Sequence, residues 1–179
     1  QVLDERLSGE AVIRKLENEG LTVLEQLSDL PRLTGGHTEL ADVIIRAHGV
    51  GPDVYEALAK MSCRVIDATC PFVAKIHKLA AEQTAQGRRV VIVGTPTHPE
   101  VVGINGWCQN KALIDADVDH LKEFFRQEKS QKNNILYSIV AQTTFAQEKF
   151  TEFTDFLKKS FDKAVIFDTI CNATSMRQQ

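Results

Sequence analysis

The chain has 179 residues and a formal net charge of −3. That is enough for one large domain or two small ones, and the charge disfavours a general nucleic-acid or membrane-surface binder, which leans basic. Hydrophobic residues make up 43%, so a true core is available, and no run approaches the ~18 apolar residues of a membrane span. The four cysteines, Cys63, Cys70, Cys108 and Cys171, form no CxxC pair. A chain this rich in core residues needs no disulfide scaffold, so reduced cytoplasmic thiols are expected.

In chain order, Ala41 to Arg46 is a short apolar run, followed by Ala47-His48-Gly49-Val50-Gly51-Pro52 and a helical stretch from Asp53 to Lys60. Arg64 to Asp67 reads as the next strand, ending at Ala68-Thr69-Cys70, and Pro71 suits a first helical position, where its missing N–H costs nothing. Phe72, Val73, Ile76, Leu79 and Ala80 then form an apolar stripe at helical spacing, and Gly87 is a helix stop. Arg89 to Val93 is a continuous apolar run, the mark of a strand buried on both faces. Gly94 to Glu100 follows, then a short helix from Val101.

Gln127 to Asn134 is a polar stretch read as a surface loop. Ile135 to Val140 is another strand, ending in Ala141-Gln142-Thr143-Thr144. Thr144 and Gln147 have capping-box spacing, and Phe150, Phe153, Phe156 and Leu157 give the next helix a core face. Lys163 to Phe167 is the last strand, leading to Asp168-Thr169-Ile170-Cys171. Strands alternating with helices mean an α/β fold with mostly parallel sheets.

In such sheets ligands bind beyond the carboxyl ends of the strands. Five strand ends here carry His48, Cys70, His98 with Glu100, Gln142 with Thr143, and Cys171. Each lies where a helix is about to begin, and helix N-termini suit phosphate and thiolate alike. Taken singly, each group has a plain reading as a turn or cap residue; their convergence is what points to a site. Cys63 and Cys108 sit away from the strand ends and read as buried thiols. His37, His77 and His120 read as ordinary structural or surface residues. Structural zinc wants closely spaced ligand pairs, which are absent, and there is no GxGxxG or GxxxxGK[ST] loop. Widely separated cysteines on separate strand ends suit an iron–sulfur cluster held between units, with a further ligand from elsewhere.

Five stretches in order, AHGV at 47–50, DATCP at 67–71, HPEV at 98–101, QTT at 142–144 and DTICNAT at 168–174 with MRQ at 176–178, resemble the 4-hydroxy-3-methylbut-2-enyl diphosphate reductases. Cys70 and Cys171 stand 101 residues apart. The resemblance implies repeated α/β units with mostly parallel sheets around a central cavity. Residues 1–69 would be a partial first unit, 70–168 a second and 169–179 the start of a third. It implies a 4Fe-4S cluster with Cys70 and Cys171 as two of three ligands, Glu100 as the catalytic acid, and His48, His98 and Thr143 on the substrate. The reaction would reduce an allylic diphosphate with electrons from a reduced ferredoxin or flavodoxin.

The family's Gly-Phe-Cys segment, its His-Asn pair and its Ser-x-Asn segment have no counterpart in these residues, so the expectation is a truncated chain lacking the third ligand. Two other readings stay open on the residues alone. One is a non-catalytic phosphate- or nucleotide-binding α/β module; the other is a sensor using Cys70 and Cys171 as a redox pair.

Overall fold

The computed structural model describes residues 9–24, 26–130 and 135–171. An opening helix α1 (Gly9–Asn18), a 3₁₀ turn (Leu27–Asp29) running into α2 (Leu30–Leu33) and a second 3₁₀ turn (Thr38–Leu40) lead into the first sheet. That sheet has two parallel strands, β1 (Asp42–Ile45) and β2 (Arg64–Asp67), joined by α3 (Pro52–Lys60). Pro52 and Pro71 both stand in the first turn of a helix, where a missing N–H costs nothing.

The second sheet is larger. After α4 (Pro71–Ala85) come β3 (Arg89–Val93), α5 (Pro99–Trp107), β4 (Leu113–Asp115), α6 (Val118–Ser130), β5 (Tyr137–Ala141), α7 (Gln147–Ser160) and β6 (Ala164–Ile166). All pairings are parallel and the strand order is β4-β3-β5-β6. The chain leaves β3 toward one edge to make β4, then crosses back to make β5 on the other side of β3. The order therefore reverses between β3 and β5, which places a crevice beyond their carboxyl ends.

Alternation along the two central strands explains their continuous apolar runs. Val90, Ile92 and Val140 face α4 and α5, packing with Ile76, Ala80, Val101 and Ile104. Val91, Val93, Ile139 and Ala141 face α6 and α7, packing with Leu121, Phe125, Phe150, Phe153 and Leu157. Each such side chain contributes roughly 1.5–3 kcal/mol by burial, so this layer is the rigid base for the loops above it. Ser138, in the middle of these apolar runs, is fully buried and satisfied: its hydroxyl donates to Gln83 Oε1 at 2.7 Å and accepts from Arg88 Nε at 2.8 Å.

Four local expectations are corrected. Thr144 does not cap α7, whose first residue is Gln147 with Ala146 before it. Thr144 instead accepts from Gln142 Nε2 at 2.8 Å. Residues 127–130 of the expected loop are helical, because Glu128 turns inward to take the buried Tyr137 hydroxyl; 131–134 lie outside the described residues. The helix after β3 begins at Pro99, ahead of Val101, with His98 as its cap. Phe72 leaves the α4 stripe and is 53% exposed, since the buried face runs through Val73, Ile76, His77 and Ala80. Cys108 is buried, and burial pushes its thiol up to about 11.

Candidate active site

The strand order puts Glu100, after β3, opposite Thr143, after β5. Glu100 lies in the first turn of α5 and is 2% exposed. Its carboxylate accepts the Thr143 backbone N–H at 2.6 Å and the Thr143 hydroxyl at 2.7 Å. Two donors from one residue hold both oxygens, which meets the requirement that a buried carboxylate be fully hydrogen-bonded. The two strand ends approach closely. A Cβ at Gly94 would come within 2.8 Å of Gln142 Cβ and 2.9 Å of Val101 Cγ2. Gln142 closes the gap with its side chain, Oε1 accepting the Thr95 N–H at 3.1 Å.

His98 caps α5, its Nδ1 accepting the Glu100 N–H at 3.2 Å. That bond leaves Nε2 as the outward nitrogen and fixes the ring. Its edge meets the ring of His48, with centroids 5.3 Å apart and planes at 84°. His48 comes from the turn after β1, so this contact joins the small sheet to the large one. The His48 imidazole is held below its ordinary value, first by partial burial, then by the Arg46 charge and the neighbouring His98 ring, while Glu100 pulls the other way. An entering anion opposes those depressing influences and favours the charged ring.

The two strand-end cysteines are tied to these same residues by backbone. Cys70 N–H donates to Ala47 O at 3.0 Å, extending the β1–β2 ladder to the His48 turn. Cys171 N–H donates to Thr143 O at 3.1 Å. Thr169 prepares that second approach: its hydroxyl donates to Ala141 O and accepts from Ala141 N, both at 2.8 Å. A continuous series of contacts thus runs from Cys70 through the His48 turn, His98, Glu100 and Thr143 to Cys171. Both cysteines are half-buried and neither is in a disulfide. Among the described residues no three His, Cys, Asp or Glu side chains group as a metal site, so Cys70 and Cys171 stand as two thiol donors without a third.

The sequence passed over three residues that build this site. Thr169 looked like part of a strand end. Trp107 donates its Nε1–H to Val50 O at 3.0 Å, holding the loop after His48 against α5. His77, read as an ordinary structural residue, is 4% exposed and stacks on Trp107 with centroids 5.7 Å apart. No spacing rule ties these residues to the motifs. Gly49, beside His48, has φ +68, and a Cβ there would overlap His77 Cε1 and stand 3.0 Å from Thr69 Cγ2. Gly49→Ala is therefore expected to cost about 1–3 kcal/mol, read as a lower urea midpoint with unchanged slope; an unchanged midpoint would refute the contact.

Comparison with known proteins agrees with this layout. The family model described as "LytB protein" matches residues 2–179. A 4-hydroxy-3-methylbut-2-enyl diphosphate reductase of Caldanaerobacter subterraneus subsp. tengcongensis is 36% identical over 177 residues, covering 99% of this chain and 57% of that protein. One from Clostridioides difficile is 34% identical, covering 93% of this chain and 56% of its own length. Among solved structures, the E-1-hydroxy-2-methyl-but-2-enyl-4-diphosphate reductase of Plasmodium falciparum has a TM-score of 0.76 at 28% identity, covering 93% of this chain and 49% of that one. A second structure, described as the terminal enzyme of the non-mevalonate pathway, has a TM-score of 0.73 at 33% identity and is covered over 57% of its length. The chain spans a little over half the length of the curated relatives it matches, and it belongs to the LytB protein family.

Proposed function

We propose that this chain forms part of a reductase of 4-hydroxy-3-methylbut-2-enyl diphosphate, carrying its proton-handling and diphosphate-binding side. The observation that carries the reading is the buried Glu100 carboxylate gripped by Thr143 N–H and O–H at the switch point of the sheet. The His48–His98 pair lies at the same end. We read residues 1–69, 70–168 and 169–179 as parts of three successive units meeting at this crevice.

The reaction consumes two electrons and two protons. One proton leaves with the hydroxyl as water, the other forms the new C–H bond, and the products are isopentenyl and dimethylallyl diphosphates. His48 and His98 bind and orient the diphosphate through ring N–H donors. Glu100 holds a proton for the leaving hydroxyl, and Thr143 Oγ1, bonded to Glu100, is the atom through which that proton is relayed. Burial keeps bulk water from Glu100. Cys70 and Cys171 are of the donor type that iron–sulfur clusters take, and they would supply two of three ligands to a 4Fe-4S cluster, the third coming from outside the described residues. When bound, the cluster supplies the electrons, drawn from reduced ferredoxin or flavodoxin. We read the role as one in cytoplasmic isoprenoid synthesis; among the described residues no helix is long and apolar enough to cross a membrane.

The test is reconstitution. A polypeptide of the relatives' full length containing this sequence, loaded anaerobically with iron and sulfide, is expected to show 4Fe-4S absorption and Mössbauer signals and to turn over the allylic diphosphate under reductant. A folded protein without cluster or turnover sinks the proposal. Full diphosphate affinity in a Cys70→Ala, Cys171→Ala double variant, with no turnover in the parent, would favour the phosphate-binding module instead.

A further inference from the structure

His77 sits two turns along α4 from Cys70, at the meeting point of three elements that carry the proposed site. Its ring lies against the His48 turn, where a Cβ on Gly49 would stand 3.2 Å from Nε2 and overlap Cε1. The same nitrogen also faces α5, where a Cβ on Gly103 would be 3.4 Å from it. The ring stacks on Trp107, whose indole N–H holds Val50 O. One turn along α5 from Gly103, a Cβ on Gly106 would come within 2.8 Å of Gly51 Cα. The Gly103 Cβ would also stand 3.5 Å from Gly49 O, so the glycine backbones of the turn and α5 meet each other directly, and the His77 ring edge closes one side of that seam.

Nε2 is buried and has no hydrogen-bond partner among the described residues, which costs about 1–3 kcal/mol. An aliphatic side chain would fill the space without that cost, but would not present a planar face to Trp107 and an edge to Gly49 together. Among the nearby titratable groups, the Asp67 charge acts on the ring, and Tyr55 donates to Asp67 at 2.8 Å and packs on Trp107.

We propose that His77 is the positioning residue of the His48 turn, a buttress at the seam where that turn meets α5 that holds the His48 ring against His98. It touches neither substrate nor reacting atoms, and its effect on ligand binding rests on the reading of His48 as a diphosphate-binding residue. The physical logic is preorganisation: a turn held in its binding geometry loses less freedom when the anion arrives.

The 179-residue chain is compared with His77→Ala and the milder His77→Leu, so that a folded variant is available. Two-dimensional NMR reads the ring-proton cross-peaks between His48 and His98, and the amide cross-peaks of the β3–β5 pair serve as the fold control. Loss of the His48–His98 cross-peaks with the sheet intact is expected. Inorganic diphosphate affinity is expected to fall about tenfold in the His77 variant, but by less than about twofold when His77→Ala is added to His48→Ala. A merely structural role would weaken both backgrounds alike. Persistence of the cross-peaks in a folded variant overturns the proposal, as does an equal loss of affinity in both backgrounds. If the parent chain does not bind inorganic diphosphate, the diphosphate reading of His48 fails, while the cross-peaks alone decide the positioning role.

Discussion

Glu100→Gln in the reconstituted full-length protein is expected to keep the cluster and lose turnover by roughly 10²–10³-fold. Glutamine matches the shape of glutamate. Its Oε1 still accepts the Thr143 N–H, and its amide nitrogen can donate to Thr143 Oγ1 once that hydroxyl reverses its role. The fold and the ligand-bearing loops are therefore retained. What is lost is an acidic proton that can reach the leaving oxygen. KM should stay within a few-fold, because the histidines that bind the diphosphate are untouched, so the loss falls on kcat. Absorption and Mössbauer spectra identical to the parent separate this from cluster damage. Near-normal turnover would remove Glu100 from the acid role. Thr143→Val is the companion change: it keeps the N–H bond to Glu100, removes the hydroxyl, and should lower kcat by a smaller factor if that hydroxyl relays the proton.

Acid should destabilise the chain through His77 in a defined window. Burial pushes its imidazole down to about 4, with Asp67 pulling weakly upward, whereas the unfolded residue titrates near ~6.5. Above ~6.5 neither state carries the proton, so protonation of His77 takes nothing from stability. As pH falls from ~6.5 toward 4, the unfolded chain binds a proton that the folded chain excludes, so stability drops. Below about 4 both states are protonated and the loss is complete. Allowing for solvent screening, the loss is about 2 kcal/mol. Carboxylates titrate in the same range, so the measurement is a difference: urea unfolding from pH 7.5 to 4.5 in the parent and in His77→Leu. The parent should lose about 2 kcal/mol more across that range; parallel curves would exclude the effect.

Much of the architecture was readable in the residues because the signal was local and strong. Arg89 to Val93 is apolar throughout and forms β3 with both faces covered. Pro71 marks a helix start because a residue without an N–H loses nothing there. Weak signals failed for equally local reasons. β4 is only Leu113–Asp115, half-buried throughout, and too short to show alternation. Gln127 to Ser130 looked like loop because it is polar, yet Glu128 finds a buried partner in Tyr137, nine residues on. Thr144 had the spacing of a cap, but Gln142 took its hydroxyl instead.

The order of its motifs was enough to determine that the chain is an α/β protein of this family, and which polar residues stand at strand ends. Those features depend on neighbouring residues and on hydrophobic period, which a linear text records. Only the tertiary structure decided that Glu100 meets Thr143, that His48 meets His98 across two sheets, and that His77 is buried beneath them. Those contacts span many tens of residues and follow from strand order, and strand order is set by how the whole sheet buries both of its faces.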